Sequence, residues 1–226
     1  QVKPSTQTIC NGQSATLTAS GGTSYLWNTT ATTAAITVSP SANTTYTVTV
    51  TNAANCSATA SGSVNVNAVP TAQVSPSSQT ICNGQSATLT ASGGSSYLWN
   101  TTATTAAITV SPAATTTYTV TVTNAANCSA TANGVVNVNA LPNAQVSPAS
   151  QTVCAGTQVT LTASGGNSYN WNTSATTAAI SVTPSATTTY TVTVTNANNC
   201  SATASGTVNV NALPNAQVNP STVALC

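Results

Sequence analysis

Seven cysteines, six tyrosines and a single lysine, Lys3, are the only titratable side chains in this 226-residue chain, which has no Asp, Glu, Arg or His. That narrows the available chemistry severely. General acid–base catalysis needs a group titrating near the working pH, usually His or a carboxylate. A serine or threonine nucleophile needs a base beside it, and the chain supplies none. Calcium and magnesium are held by carboxylate oxygens, which are also missing. Phosphate backbones are bound by Lys and Arg, and a net charge of +1 cannot supply that grip. Catalytic, cofactor-binding and metal-ligating residues are therefore not expected. The chain reads as a non-enzyme with no cofactor and no nucleic-acid partner. What remains is sulfur, and the chemistry open to sulfur here is disulfide formation.

The spacing of the sulfurs is regular. Cys10, Cys82, Cys154 and Cys226 step by 72 residues, and Cys56, Cys128 and Cys200 keep the same step. So do Trp27, Trp99 and Trp171, and Tyr46, Tyr118 and Tyr190. No Cys-x-x-Cys pair occurs, and alternating gaps of 46 and 26 residues are not those of a zinc knuckle. Two cysteines per repeat point instead to disulfides formed in an oxidising, extracellular compartment.

The elements that must position these cysteines follow from the repeat. Residues 2–73 laid on 74–145 agree at 63 of 72 positions. The expected domains are 1–69, 70–141 and 142–213, with 214–226 as the first strand of a fourth, so the chain reads as part of a longer array. The joints Asn-Ala-Val-Pro at 67–70 and Asn-Ala-Leu-Pro at 139–142 and 211–214 are short and contain proline, which suggests stiff connections. Within a repeat, apolar residues alternate with period two, as in Ala15-Thr16-Leu17-Thr18-Ala19 and Tyr46-Thr47-Val48-Thr49-Val50. Turn signals such as Asn11-Gly12, Gly21-Gly22 and Ser39-Pro40 separate these runs.

The pattern predicts strands over about 2–9, 14–20, 25–27, 34–39, 45–51 and 57–67, with a short one near 31–33. Six or seven short strands with regular turns indicate an all-β fold, a tandem array of immunoglobulin-like β-sandwiches that is elongated. Trp27, Trp99 and Trp171 fall where that fold keeps its buried tryptophan, and Tyr46, Tyr118 and Tyr190 resemble its tyrosine corner. All six are expected in the core, and a stacking platform for sugars is the alternative use of such rings. A β-helix also repeats, but usually with a period much shorter than 72 residues.

Strand direction constrains the cysteines. Cys10 precedes the second strand and Cys56 follows the sixth, so alternating strands place the two turns at opposite ends of a sandwich. A six-residue strand spans roughly 20 Å, whereas a disulfide needs Cα atoms within about 7 Å. The preferred pairs are therefore between neighbouring repeats, Cys10–Cys128 and Cys82–Cys200. Cys56, Cys154 and Cys226 would then pair with repeats outside the chain. The competing pattern closes each repeat on itself, as Cys10–Cys56, Cys82–Cys128 and Cys154–Cys200. Bridges between repeats would lock them together and keep most of each repeat out of the load path.

The surface must be built from Thr, Ser and Asn. With almost nothing to titrate between about pH 4 and 8, and almost no Coulomb energy for salt to screen, behaviour should vary little with either. No stretch is long and apolar enough to cross a membrane, so membrane insertion is not expected.

The segments "TICNGQSATLTASGG" and "TTTYTVTVTNAANCSATA" and the "NALP" joint resemble the tandem Ig-like/PKD-like repeats of giant secreted cell-surface proteins of Bacteroidota. The resemblance covers the whole chain. It implies adhesins, filaments and surface appendages exported by the type IX system, with any adhesive tip or anchor elsewhere. Relatives often carry Asp and Gly in the turn that is Asn52-Ala53-Ala54-Asn55 here, so this chain lacks the carboxylates with which a relative could bind calcium. The leading expectation is a stalk or filament shaft outside the cell, its partners the neighbouring repeats. The alternatives are an adhesive module for glycans or other cells, and a subunit whose strands pair with identical chains.

Overall fold

The computed structural model describes residues 1–217. Seven strands make up the first repeat: β1 (Val2–Lys3), β2 (Thr6–Cys10), β3 (Ala15–Ala19), β4 (Ser24–Trp27), β5 (Ala35–Val38), β6 (Thr44–Thr51) and β7 (Ser57–Asn67). They form two sheets, of order β1-β3-β5 and β2-β7-β6-β4. All pairs are antiparallel except β2 with β7, which run parallel with Cys10 beside Asn67. Alternation decides which side chains face inward. Along β3, Ala15, Leu17 and Ala19 are buried while Thr16 and Thr18 are exposed. Val and Thr, β-branched, suit such a pleated, half-buried surface.

The first strand departs from expectation. The segment expected over 2–9 is broken at Pro4, which follows a cis peptide bond. β1 pairs with β3 in one sheet, and β2 crosses to pair with β7 in the other. Proline cannot donate to a ladder, so it sits where one pairing ends and the next begins. The short strand expected near 31–33 is absent. The chain turns there instead, with Thr30 at φ 69° and the Trp27 amide donating to the Ala31 carbonyl at 2.8 Å.

The pattern recurs as β8 (Gln73–Ser75), β9 (Ser78–Cys82), β10 (Ala87–Ser92), β11 (Ser96–Trp99), β12 (Ala107–Val110), β13 (Thr116–Thr123) and β14 (Ser129–Asn139). It recurs again as β15 (Gln145–Ser147), β16 (Ser150–Cys154), β17 (Val159–Ser164), β18 (Ser168–Trp171), β19 (Ala179–Val182), β20 (Thr188–Thr195) and β21 (Ser201–Asn211). A three-stranded sheet facing a four-stranded one, in this order, is an immunoglobulin-like sandwich. Among the described residues no helix is long and apolar enough to cross a membrane.

Each sandwich is filled by a buried tryptophan, a buried tyrosine and a set of aliphatics. Trp27 packs with Leu17, Val48 and Val64, and Trp171 with Leu161, Val192 and Val208. The three tryptophans are each 2% exposed, so none offers a face to a sugar ring. Their indole N–H groups donate to the carbonyls of Thr33, Thr105 and Thr177 at 2.9–3.0 Å, which removes the cost of burying that donor. Tyr46, Tyr118 and Tyr190 are buried. The hydroxyl tied to backbone belongs to other tyrosines: Tyr25, Tyr97 and Tyr169 donate to the carbonyls of Gly22, Gly94 and Gly166.

The chain divides into two compact units that cut across the sequence repeats. One comprises Gln1–Gln79, Ser86–Val110 and Thr116–Val136, which is the first repeat and much of the second. The other comprises Thr80–Gln85, Ser111–Thr115 and the described residues from Asn137 onward.

Candidate functional site

In the first unit the sulfurs of Cys10 and Cys128 are bonded, with Cα atoms 5.6 Å apart and a sequence separation of 118. In the second unit Cys82 and Cys200 are bonded with the same Cα separation and the same sequence separation. Cys56 and Cys154 carry free, exposed thiols. The competing pairs Cys10–Cys56, Cys82–Cys128 and Cys154–Cys200 are not made. The reason lies in one strand. Cys56 immediately precedes β7, while Cys10 lies beside Asn67 at its far end. Eleven residues of strand separate them, about 36 Å at 3.3 Å per residue. Cys200 and Cys154 are held apart by β21 in the same way. Cys226 lies outside the described residues, as does most of the strand expected over 214–226.

Two turns build each bridge. The first follows the opening strand. The Gln13 amide donates to the Cys10 carbonyl at 2.9 Å, and the Gln13 side chain accepts from the Cys10 amide at 3.1 Å. Gly12 sits at φ 88°, a conformation that costs a side-chain-bearing residue but not glycine. The Asn11 amide donates to the Asn67 carbonyl at 2.8 Å, so the turn is fastened to the end of β7. Gln85 repeats both bonds with Cys82.

The second turn precedes the last strand and is organised by an asparagine. Asn124 Oδ1 accepts from the amides of Ala126 and Cys128, both at 3.0 Å, and Asn127 takes φ 58°. Asparagine is among the few residues that tolerate this left-handed region. The remaining end of the Asn124 side chain reaches the preceding repeat, where Nδ2 donates to the Ala68 carbonyl at 2.8 Å. Asn196 does the same, with Nδ2 on the Ala140 carbonyl at 2.9 Å in the second unit. Each of these joints thus includes a disulfide and a hydrogen bond, both anchored in the same turn. The hydrogen bond was not evident in the sequence. Its only signal there is an Asn four residues before each of Cys56, Cys128 and Cys200, a spacing that a local turn explains equally well.

Beside the Cys82–Cys200 bridge lies an open recess lined by Asn83, Gln85, Leu141, Asn199 and Ser201. In the first repeat a second depression is lined by Gln1, Ser20, Gly21, Asn52, Cys56 and Ser57. Neither holds a charged side chain or a group of metal ligands.

No protein-family model and no curated protein sequence matches the chain. Among solved structures it is similar to the N-terminal eight Ig domains of Down Syndrome Cell Adhesion Molecule isoform 1.30.30, at 15% identity and TM-score 0.31, covering 93% of this chain and 40% of that one. It is similar to the N-terminal four Ig domains of Dscam1 isoform 6.9, at 15% identity and TM-score 0.29, covering 91% and 71%. A third similar structure is the I-band fragment I67-I69 from titin, at 13% identity and TM-score 0.40, covering 91% and 96%. The chain spans well under half the length of the first of these.

Proposed function

We propose that the chain is a structural shaft element of an extracellular protein, in which disulfides between consecutive repeats stop the repeats from lengthening under load. The repeats 1–69, 70–141 and 142–213 are its building units. The observation that carries the reading is the direction of the bridges: each described disulfide leaves one repeat and enters the next. A bridge of that kind contributes little to closing a sandwich and a great deal to joining two. Each is expected to add about 2–4 kcal/mol of stability, a useful margin for 72-residue units with small cores. Disulfides favour a location outside the cell. The sequence resemblance favours a bacterial surface appendage exported by the type IX system.

Single-molecule stretching tests the reading. With the chain held at Gln1 and Gln217, the bridges leave a covalent path of residues 1–10, 82–128 and 200–217. The oxidised chain should then extend to about 260 Å, and the reduced chain to about 760 Å, at roughly 3.5 Å per residue. Equal extensions in the two states would overturn it. A glycan array probed with the same protein should stay blank. Specific binding there would make the repeats an adhesive module instead.

A further inference from the structure

Three asparagines stand directly before a glycine: Asn11, Asn83 and Asn133. Such a pair can react with itself, because glycine has no side chain to bar its amide nitrogen from the asparagine side-chain carbonyl. The fold puts the three pairs in two different settings. Asn11-Gly12 and Asn83-Gly84 lie in exposed turns. Gly12 and Gly84 take φ 88° and 87°, and a Cβ on either would meet nothing within 4 Å. Glycine moves between such a backbone angle and its alternatives at little steric cost. The peptide joining each of these pairs therefore has room to rotate.

Asn133-Gly134 lies inside β14, which has a strand on either side, β13 and β9. Asn133 stands opposite Thr119, and Gly134 opposite Tyr118. Gly134 is buried, and a Cβ there would come within 2.7 Å of Val74 and 3.2 Å of Leu89. Extended backbone paired on both sides cannot fold an amide nitrogen back onto the preceding side chain without breaking its ladder.

We propose that Asn11 and Asn83 are sites of self-modification, converted through a cyclic imide to aspartate and isoaspartate, while the sheet protects Asn133. In the first step the Gly84 amide nitrogen loses its proton and attacks Cγ of Asn83. An N–C bond forms, the Cγ–Nδ2 bond breaks, and ammonia carries off the proton. Water then adds to one of the two ring carbonyls and the C–N bond at that carbonyl breaks. Opening at Cγ leaves aspartate. Opening at the main-chain carbonyl leaves isoaspartate, with the chain now running through the former side chain. Gly12 and Asn11 react in the same way. Water is the only co-reactant, and nothing is oxidised or reduced.

Both sites lie at joints. The Asn11 amide donates to the Asn67 carbonyl at 2.8 Å, and Asn11 adjoins the bridged Cys10. The Asn83 amide donates to the Asn139 carbonyl at 2.9 Å, and Asn83 lines the recess beside the Cys82–Cys200 bridge. The reaction thus sets a carboxylate beside each bridge in a chain whose sequence encodes none, and each conversion removes one unit from a net charge of +1. Neither sulfur takes part, so the bridges stay closed. The inference does not depend on the reading of the chain as a shaft.

The test uses the full oxidised chain, incubated at mildly alkaline pH, where the glycine amide loses its proton more readily, beside a sample at mildly acidic pH. Peptide mapping by mass spectrometry follows the mass gain of an amide turned to an acid at each asparagine, and methylation by an isoaspartate-specific methyltransferase identifies the rearranged product. Asn11 and Asn83 should convert in the alkaline sample and lag in the acidic one. Asn133 should convert about tenfold or more slowly, the rate factor expected where ladder hydrogen bonds must break first. In chain that has been reduced and denatured, all three should convert at similar rates. An Asn133 that keeps pace with the others in the folded chain would overturn the proposal, since the fold would then make no choice. Asn11 and Asn83 as slow as Asn133 in the folded chain would also overturn it, since the turns would then be held as firmly as the strand.

Discussion

Gly93 turns at φ 103° where the chain enters the second repeat, and an added Cβ would run into the Thr71 carbonyl. Gly165 is in the same position against the Asn143 carbonyl, at φ 101°. Gly84, in the same repeat, also has a positive φ, of 87°, yet a Cβ there would meet nothing within 4 Å. A left-handed glycine thus occurs within one repeat with backbone pressed against it and without. Gly84→Ala should cost only the strain of a left-handed alanine, about 1–2 kcal/mol. Gly93→Ala carries that strain and must also push the entering chain aside, so its cost should be clearly larger. Denaturant unfolding of the two variants beside the parent gives the comparison. A Gly84→Ala variant at least as damaged as Gly93→Ala would show that the close approach is not a constraint.

Turns and strands, rather than the sandwich as a whole, set the quality of the joint. Asn124 organises its turn through Oδ1 and holds the preceding repeat through Nδ2. Asn124→Asp keeps the acceptor oxygen of the turn and removes the donor to the Ala68 carbonyl, so it should cost about 1 kcal/mol or more in denaturant unfolding. A variant as stable as the parent would mean that the bond to Ala68 contributes nothing.

The same elements show what a sequence can and cannot disclose. Period-two alternation marks strands and their inward faces, because one side of each is buried, and the Trp step of 72 fixes the repeat. Alternation does not say which sheet a strand joins. The segment before Cys10 therefore read as one strand, although Pro4 is where it changes partners. A short strand is expected near 31–33 as the D strand of the fold or its equivalent, but the turn that follows Trp27 takes those residues. Strand direction tells which end of a sandwich a turn occupies, so the ends carrying Cys10 and Cys56 were legible. The reach of Asn124 to Ala68 was not, because it depends on how two repeats abut.

At the scale of the whole molecule, the absence of Asp, Glu, Arg and His makes a physical prediction that few proteins permit. The slope of stability against pH is the difference in protons bound by the unfolded and folded states. With no carboxylate or imidazole side chain, neither state exchanges side-chain protons between about pH 4 and 7, and the slope should be close to zero. Acid normally unfolds proteins by protonating carboxylates that are paired in the folded state, and this chain has none to protonate. Sodium chloride acts on stability chiefly by screening charges, and one lysine leaves almost nothing to screen. The oxidised chain should therefore hold its thermal midpoint within about 2 °C from pH 4 to 7, and again from low salt to about 1 M sodium chloride. For a chain of this size that corresponds to less than about 1 kcal/mol. Reduction should lower the midpoint under every one of those conditions, because the bridges act on chain entropy and not on charge. A midpoint that falls steeply toward pH 4 would mean that acidic groups are present after all, and the picture of an ionless, sulfur-jointed shaft would fail at its base.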